Sequence, residues 1–225
     1  MPNETSVIAT SIATGLSALA ADGRLNCAAD VSHQQLTTAL SSYIAELTKW
    51  NKAYNLTAVR DSQAMVTLHL LDSLAASPWL YGKNILDVGT GAGLPGIPLA
   101  LVQPDVKFTL LDTNGKKVRF VNHVAGVLEL ENVRPVQARV AEYEPEQLFD
   151  SIISRAFSSL ADFIAGSAHA LVPEGRLLAM KGKLPDDELA ELPAGWCVSR
   201  VEELHVPRLE AERHLLVLER QPKAG

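Results

Sequence analysis

Asn84-Ile85-Leu86-Asp87-Val88-Gly89-Thr90-Gly91-Ala92-Gly93-Leu94-Pro95-Gly96 constrains the fold of this chain more than any other stretch. An apolar run ends in a carboxylate, glycines follow at alternate positions, and a proline then opens a helix-like segment. A glycine turn between strand and helix lets a ligand approach the bare backbone. Two ligand classes use such turns. Gly91 to Gly96 satisfies G-x-G-x-x-G, the pattern of dinucleotide sites, which hold a pyrophosphate at a helix N-terminus. S-adenosylmethionine has no phosphate; it carries a sulfonium, an ammonium and a carboxylate. Asp87 puts negative charge where it suits an ammonium and opposes a pyrophosphate. That favours the methyl donor and leaves the dinucleotide in contention.

The rest of the chain supplies the frame for this turn. From Asn84 onward, short apolar runs alternate with amphipathic ones. Strands are expected at Asn84–Val88, Lys107–Leu111, Arg134–Gln137, Ser151–Ser154 and Arg176–Met180. Helices are expected near Pro95–Val102, Lys116–Leu128 and Leu160–Leu171. Such alternation predicts a doubly wound, parallel sheet covered on both faces. Pro95 suits a first helical turn, where its missing N–H is no loss. Trp196–Val206 and His214–Arg220 are strand-like with no helix between them, which predicts an antiparallel end to the sheet. This tail fits the Rossmann-like class I methyltransferase variant of the α/β fold, with seven strands. Before residue 81 the pattern is helical. Ser32 and Gln35 form a capping box, followed by Leu36, Leu40, Tyr43, Leu47 and Trp50 at helical spacing. Further helices are expected over Thr5–Ala21 and Asp61–Ala76, the latter stopped by Pro78. We therefore expect an N-terminal helical subdomain, 1–80, and a methyltransferase domain, 81–225.

Bulk properties exclude other classes. The 225 residues are 47% apolar and 20% charged, a soluble globular composition. No apolar run reaches the roughly 18 residues of a membrane span, and a secretory signal is not expected because a basic n-region is missing near Glu4. Cys27 and Cys197 are isolated, so neither a disulfide framework nor a zinc site is expected, and no metal constellation is visible. A cytoplasmic monomer fits these features. A net charge of −6 disfavours a free nucleic-acid binder, but it leaves room for a local basic patch acting on a ribonucleoprotein.

In open α/β sheets the site lies outside the carboxyl ends of the strands. Asp112 ends the second strand, where a carboxylate accepts a ribose diol; the alternative is a helix N-cap. The third strand leads to Val140 and Ala141, a wall and an amide for an adenine, or an ordinary loop. The fourth ends in Ser154-Arg155. No Asn-Pro-Pro-aromatic signature and no nearby cysteine nucleophile is present, which disfavours exocyclic amines and pyrimidine carbon-5 as acceptors. Lys116, Lys117 and Arg119 form either a basic rim or a solvated helix face. His69 reads as a helix histidine rather than a catalyst.

The match then becomes specific. Leu86 through Ala100 closely resembles the signature of the RsmG (GidB) family of bacterial small-subunit ribosomal RNA methyltransferases. Further matches follow in order: Trp50-Asn51-Lys52 with Asn55-Leu56-Thr57, His69-x-Leu71-Asp72-Ser73, Leu110-Leu111-Asp112, Ile153-Ser154-Arg155-Ala156, Lys181-Gly182 and Glu212-Arg213-His214. The resemblance runs from about residue 40 to 220. It implies S-adenosylmethionine as cofactor, and N7 of guanine 527 in the 530 loop of 16S rRNA, free or in the 30S subunit, as methyl acceptor. It places donor contacts on Gly89, Leu94, Val140, Ala141 and Arg155; many family members have an acidic residue where this chain has Ala141. Asp87, Gly91 and Gly93 join them from the turn itself, and Asp112 from the end of the second strand. Guanine N7 has an in-plane lone pair and no proton, so alignment matters more than a general base. Arg155 is expected to orient donor and base, and Arg139 and Lys181 to hold phosphates or the guanine O6. Asn51, Asn55, Lys116 and Lys117 are expected to face the RNA, with Trp50 packing inside. An NAD-dependent oxidoreductase and a non-catalytic RNA-binding module are the competing readings.

Overall fold

The computed structural model of the protein describes residues 4–155, 157 and 159–221; Ala156 of the Ile153–Ala156 match lies outside them. Seven strands form one sheet: β1 (Asn84–Val88), β2 (Lys107–Asp112), β3 (Val133–Gln137), β4 (Phe149–Ser154), β5 (Leu171–Lys181), β6 (Trp196–Glu203) and β7 (His214–Arg220). Their order is β3-β2-β1-β4-β5-β7-β6. The first five are parallel, and β7 runs antiparallel between β5 and β6. The strand order reverses between β1 and β4, which opens the crevice where ligands sit in such sheets.

Side-chain alternation along the strands makes two cores. Ile85, Leu110, Ile153, Leu178 and Val217 face one side; Leu86, Leu111, Ile152, Leu177 and Leu218 face the other. The first side is covered by α1 (Glu4–Ala21), α2 (His33–Tyr54), α5 (Gly96–Val102) and α6 (Gly115–Val127), and the N-terminal helices share one hydrophobic cluster with the sheet. On the other side lies α7 (Leu160–Ser167). The capping box forms as expected: Gln35 N–H donates to Ser32 Oγ at 3.2 Å, and Ser32 N–H donates to Gln35 Oε1 at 3.0 Å.

Three elements depart from the sequence expectation. The helix expected over Asp61–Ala76 is broken into α3 (Ser62–Met65), a π-helical stretch Val66–Leu71 and α4 (Asp72–Leu74). No local residue signals this; π turns are rare and gather at functional sites. The helix expected to reach Leu171 stops at Ser167, and β5 starts at Leu171. Pro173 and Gly175 read as turn residues, yet Arg220 holds that region by donating to the carbonyls of Val172 and Ala168, both at 2.7 Å. A short α8 (Asp186–Ala190) appears where no helix was expected.

Candidate active site

The glycine turn is held from beneath. Asp87 is fully buried, and its Oδ2 accepts from Thr90 Oγ1 at 2.6 Å and from Gly96 N–H at 2.9 Å. Asp112 accepts from Gly91 N–H at 2.9 Å and Asn114 N–H at 2.8 Å. The cap of α6 is therefore Asn114, whose side chain accepts from Lys116 N–H, and not Asp112. Tyr43 of α2 donates its hydroxyl to the Ala92 carbonyl at 2.7 Å, tying the helical region to the turn. Gly96 has no room for a side chain: a Cβ there would collide with Leu110 and sit 2.8 Å from Asp87 Oδ2. Gly91 is the opposite case. Its φ of +61° suits glycine, and a Cβ there would meet nothing closer than 3.9 Å. The space over Gly91 is open.

Two cavities open at the carboxyl ends of the strands. One, of about 290 Å³, runs along Gly89, Thr90 and Gly91 to Leu94, and is closed by Thr57, His69 and Arg155. The other, of about 350 Å³, is lined by Asp72, Lys181, Arg213 and His214, and again by His69 and Arg155. His69 and Arg155 are thus the wall the two cavities share. Asp72 is 3% exposed and joins two arginines: Arg155 Nη1 donates to its Oδ2 at 3.0 Å and Arg213 Nε to its Oδ1 at 2.9 Å. His69 Nε2 lies 2.9 Å from Thr57 Oγ1, while its buried Nδ1 has no partner. Burial pushes the His69 imidazole below its ordinary value and the Arg155 charge adds to this, against the Leu68 carbonyl and Asp72. This environment favours its neutral form.

Several expected site residues lie elsewhere. Arg139 has a side chain 74% exposed beside Glu142 and lines neither cavity. Val140 and Ala141 form a 3₁₀ turn at the end of β3, outside both cavities, with Val140 against the α7-side core. Gly93 faces Ile97 and Val121 rather than the open side of the turn. Lys181 does line the second cavity, but both oxygens of Glu188 hold its ammonium at 3.0 Å. Lys117 folds back to 3.9 Å from Asp112 Oδ2, while Lys116 stays exposed on α6. Asn51 and Asn55 line neither cavity. Asn51 is buried, donating to the Val59 carbonyl at 3.0 Å and accepting from Thr57 N–H at 2.9 Å. Asn55 ends α2 in the left-handed region and accepts from Arg60 Nη2 at 2.6 Å. Together they build the loop that carries Leu56 and Thr57 to the donor-side cavity. Trp50 packs against Phe120 and His123, as expected. Asn51→Ala removes both loop bonds and should lower stability by roughly 2–3 kcal/mol in urea unfolding.

His69, Asp72 and Arg213 are the residues that sequence reasoning missed. His69 and Asp72 are three apart, which puts them on neighbouring positions of one helical face. That spacing was the available signal. Nothing local places Arg213 beside them.

The geometry also tests the ligand. The backbone amides of Gly89 and Thr90 already donate to the Leu111 carbonyl of β2, those of Gly93 and Leu94 to the Thr90 carbonyl, and those of Gly91 and Gly96 to the two carboxylates beneath the turn. A pyrophosphate needs free amides and no carboxylates. An ammonium needs an acceptor, and Asp87 Oδ1 is a buried acceptor with no donor. The residues fit S-adenosylmethionine and do not fit a dinucleotide.

Solved structures with this architecture include an S-adenosylmethionine-dependent methyltransferase from Aquifex aeolicus, at TM-score 0.54 and 19% identity over 78% of this chain and 97% of that one. Another comes from Thiobacillus denitrificans, solved with S-adenosyl-L-homocysteine, at TM-score 0.51 and 17% identity over 68% and 91%. The fold is that of a Rossmann-like class I methyltransferase. The GidB family model, described as rRNA small subunit methyltransferase G, matches residues 36–216. Ribosomal RNA small subunit methyltransferase G of Salmonella agona is 51% identical over 90% of this chain and 96% of its own, and that of Salmonella arizonae 54% over 80% and 86%. The chain belongs to the rRNA small subunit methyltransferase G family.

Proposed function

We propose that the protein transfers a methyl group from S-adenosylmethionine to N7 of guanine 527 of 16S rRNA, free or within the 30S subunit. The observation that carries this reading is the wall of His69 and Arg155 shared by two adjoining cavities. The cavity over Gly89 and Gly91 takes the donor, which supplies a methyl on a sulfonium. The cavity lined by Arg155, Lys181 and Arg213 takes the acceptor, and its cationic lining suits RNA phosphate and the guanine O6 edge. Asp112 lies at the end of β2 for the ribose diol, and Asp87 below the turn for the ammonium. Val140 and Ala141 serve the adenine only through a movement of their turn, and Arg139, Lys116 and Lys117 serve RNA from the surface.

Guanine N7 attacks with its own lone pair, so no proton has to leave and the neutral His69 need not act as a base. The chain's task is alignment of nucleophile, methyl and sulfur. Arg155 reaches both cavities and is fixed by Asp72. Among the described residues no helix is long and apolar enough to cross a membrane.

Transfer of tritiated methyl to 30S subunits lacking the modification, followed by mapping of the labelled base, tests the reading. Label at guanine N7 is expected; label on a pyrimidine or an exocyclic amine sinks it. S-adenosylhomocysteine should raise the melting temperature and NAD should leave it unchanged. A rise with NAD alone would return the dehydrogenase reading.

A further inference from the structure

Methyl transfer to N7 moves positive charge from one cavity into the other. The N7 lone pair forms the bond to the methyl carbon, the S–C bond breaks, and its electron pair stays on sulfur. The thioether left behind is neutral and the methylated guanine is a cation. That cation forms in a cavity lined by Arg155, Lys181 and Arg213. Like charges close together in a low-dielectric site oppose it. Lys181 is neutralised by Glu188. The arginines are offset by Asp72, the one carboxylate lining this cavity among the described residues.

We propose that Asp72 is the electrostatic positioning residue of the transfer: it fixes Arg155 and Arg213 and supplies the negative charge that lets a guanine cation form between them. This rests on the N7 reading above. The geometry supports it in two ways. Each carboxylate oxygen takes one arginine, at 3.0 and 2.9 Å, so both guanidinium groups are held from one point. The three charges also leave a net single positive charge, which still attracts RNA.

The two roles predict a split between binding and turnover. Asp72→Asn makes the cavity more positive, so RNA binds as well or better while the developing cation is opposed. With 30S subunits as substrate, kcat should fall about tenfold to a hundredfold, with KM for the subunits unchanged or lower. Affinity for S-adenosylhomocysteine, read by calorimetry, should stay within about threefold, because Asp72 does not line the donor cavity. Asp72→Glu keeps the charge and should turn over several-fold faster than Asp72→Asn. Should Asp72→Asn fail to fold, Asp72→Asn with Arg213→Gln is compared with Arg213→Gln alone, and the same kcat-specific loss is expected. An unchanged kcat in active Asp72→Asn enzyme overturns the inference alone. So does a rise in KM matched by loss of S-adenosylhomocysteine binding, the mark of a scaffold residue. Wild-type enzyme that leaves N7 unlabelled overturns the reading and the inference together.

Discussion

Arg155→Ala is expected to lower kcat for methylation of 30S subunits by about 10²–10³-fold, the usual loss when one fixed donor is removed from a reacting centre. The fold should survive. Asp72 keeps its 2.9 Å pair with Arg213, so no buried carboxylate is left alone. That matters because an orphaned buried charge costs several kcal/mol. A melting temperature near wild type with collapsed turnover is the expected combination. Arg155→Lys retains charge but loses the planar fork, and should recover only part of the rate. Wild-type turnover in Arg155→Ala would remove the side chain from the reaction.

Asp87 should separate stability from donor binding in opposite directions. Burial pushes its carboxyl up to about 6, despite the hydrogen bonds from Thr90 and Gly96 and the charge of Arg155, which pull it down. Its ordinary value is 3.8. The folded value is raised, so its contribution to stability is full below about 3.8 and is lost as pH rises through about 6. That gap, at about 1.4 kcal/mol per pH unit, sets a ceiling of about 3 kcal/mol. Asp87→Asn mimics the protonated form. Without ligand at pH 7.5 it should be as stable as wild type or more so, and its stability should be flat across this pH window. Its affinity for S-adenosylhomocysteine should nonetheless drop by about 100-fold, through loss of a charge-assisted contact to the ammonium. In wild type, binding below pH 6 should release a proton, seen by calorimetry in buffers of different ionisation heat. Donor affinity unchanged in Asp87→Asn would refute the ammonium role. Asp87→Ala should do worse in both respects, because the Thr90 hydroxyl and the Gly96 amide lose their acceptor.

These expectations rest on residues of two kinds. Gly91, Asp87, Asp112 and Arg155 were legible because they lie in or next to regular elements whose order fixes where the strand ends meet. Asn51 and Asn55 were read as facing RNA because their side chains are polar and their motif is specific. In the folded chain the Asn51 side chain bonds the backbone of Thr57 and Val59 and the Asn55 side chain bonds the Arg60 guanidinium, and polarity alone does not distinguish those uses. Lys181 was read as a free cation because its partner Glu188 lies on α8, a helix with no clear pattern in the sequence. Arg139 follows β3, but β3 is an edge strand, and the turn after it leaves the side chain in solvent.

By itself the sequence determined the alternating α/β order, the antiparallel tail, the glycine turn and the carboxylates beneath it. These follow from hydrophobic period, from turn chemistry and from short-range spacing, all of which are local. Only the tertiary structure decided which cations line the second cavity. Arg155, Asp72 and Arg213 come from three distant parts of the chain, and they meet where the π-helical stretch and Asp72, the ends of β4 and β5 and the start of β7 line one cavity. Contacts between residues 83 and 141 positions apart leave no periodicity behind; they exist only once the sheet has closed around them.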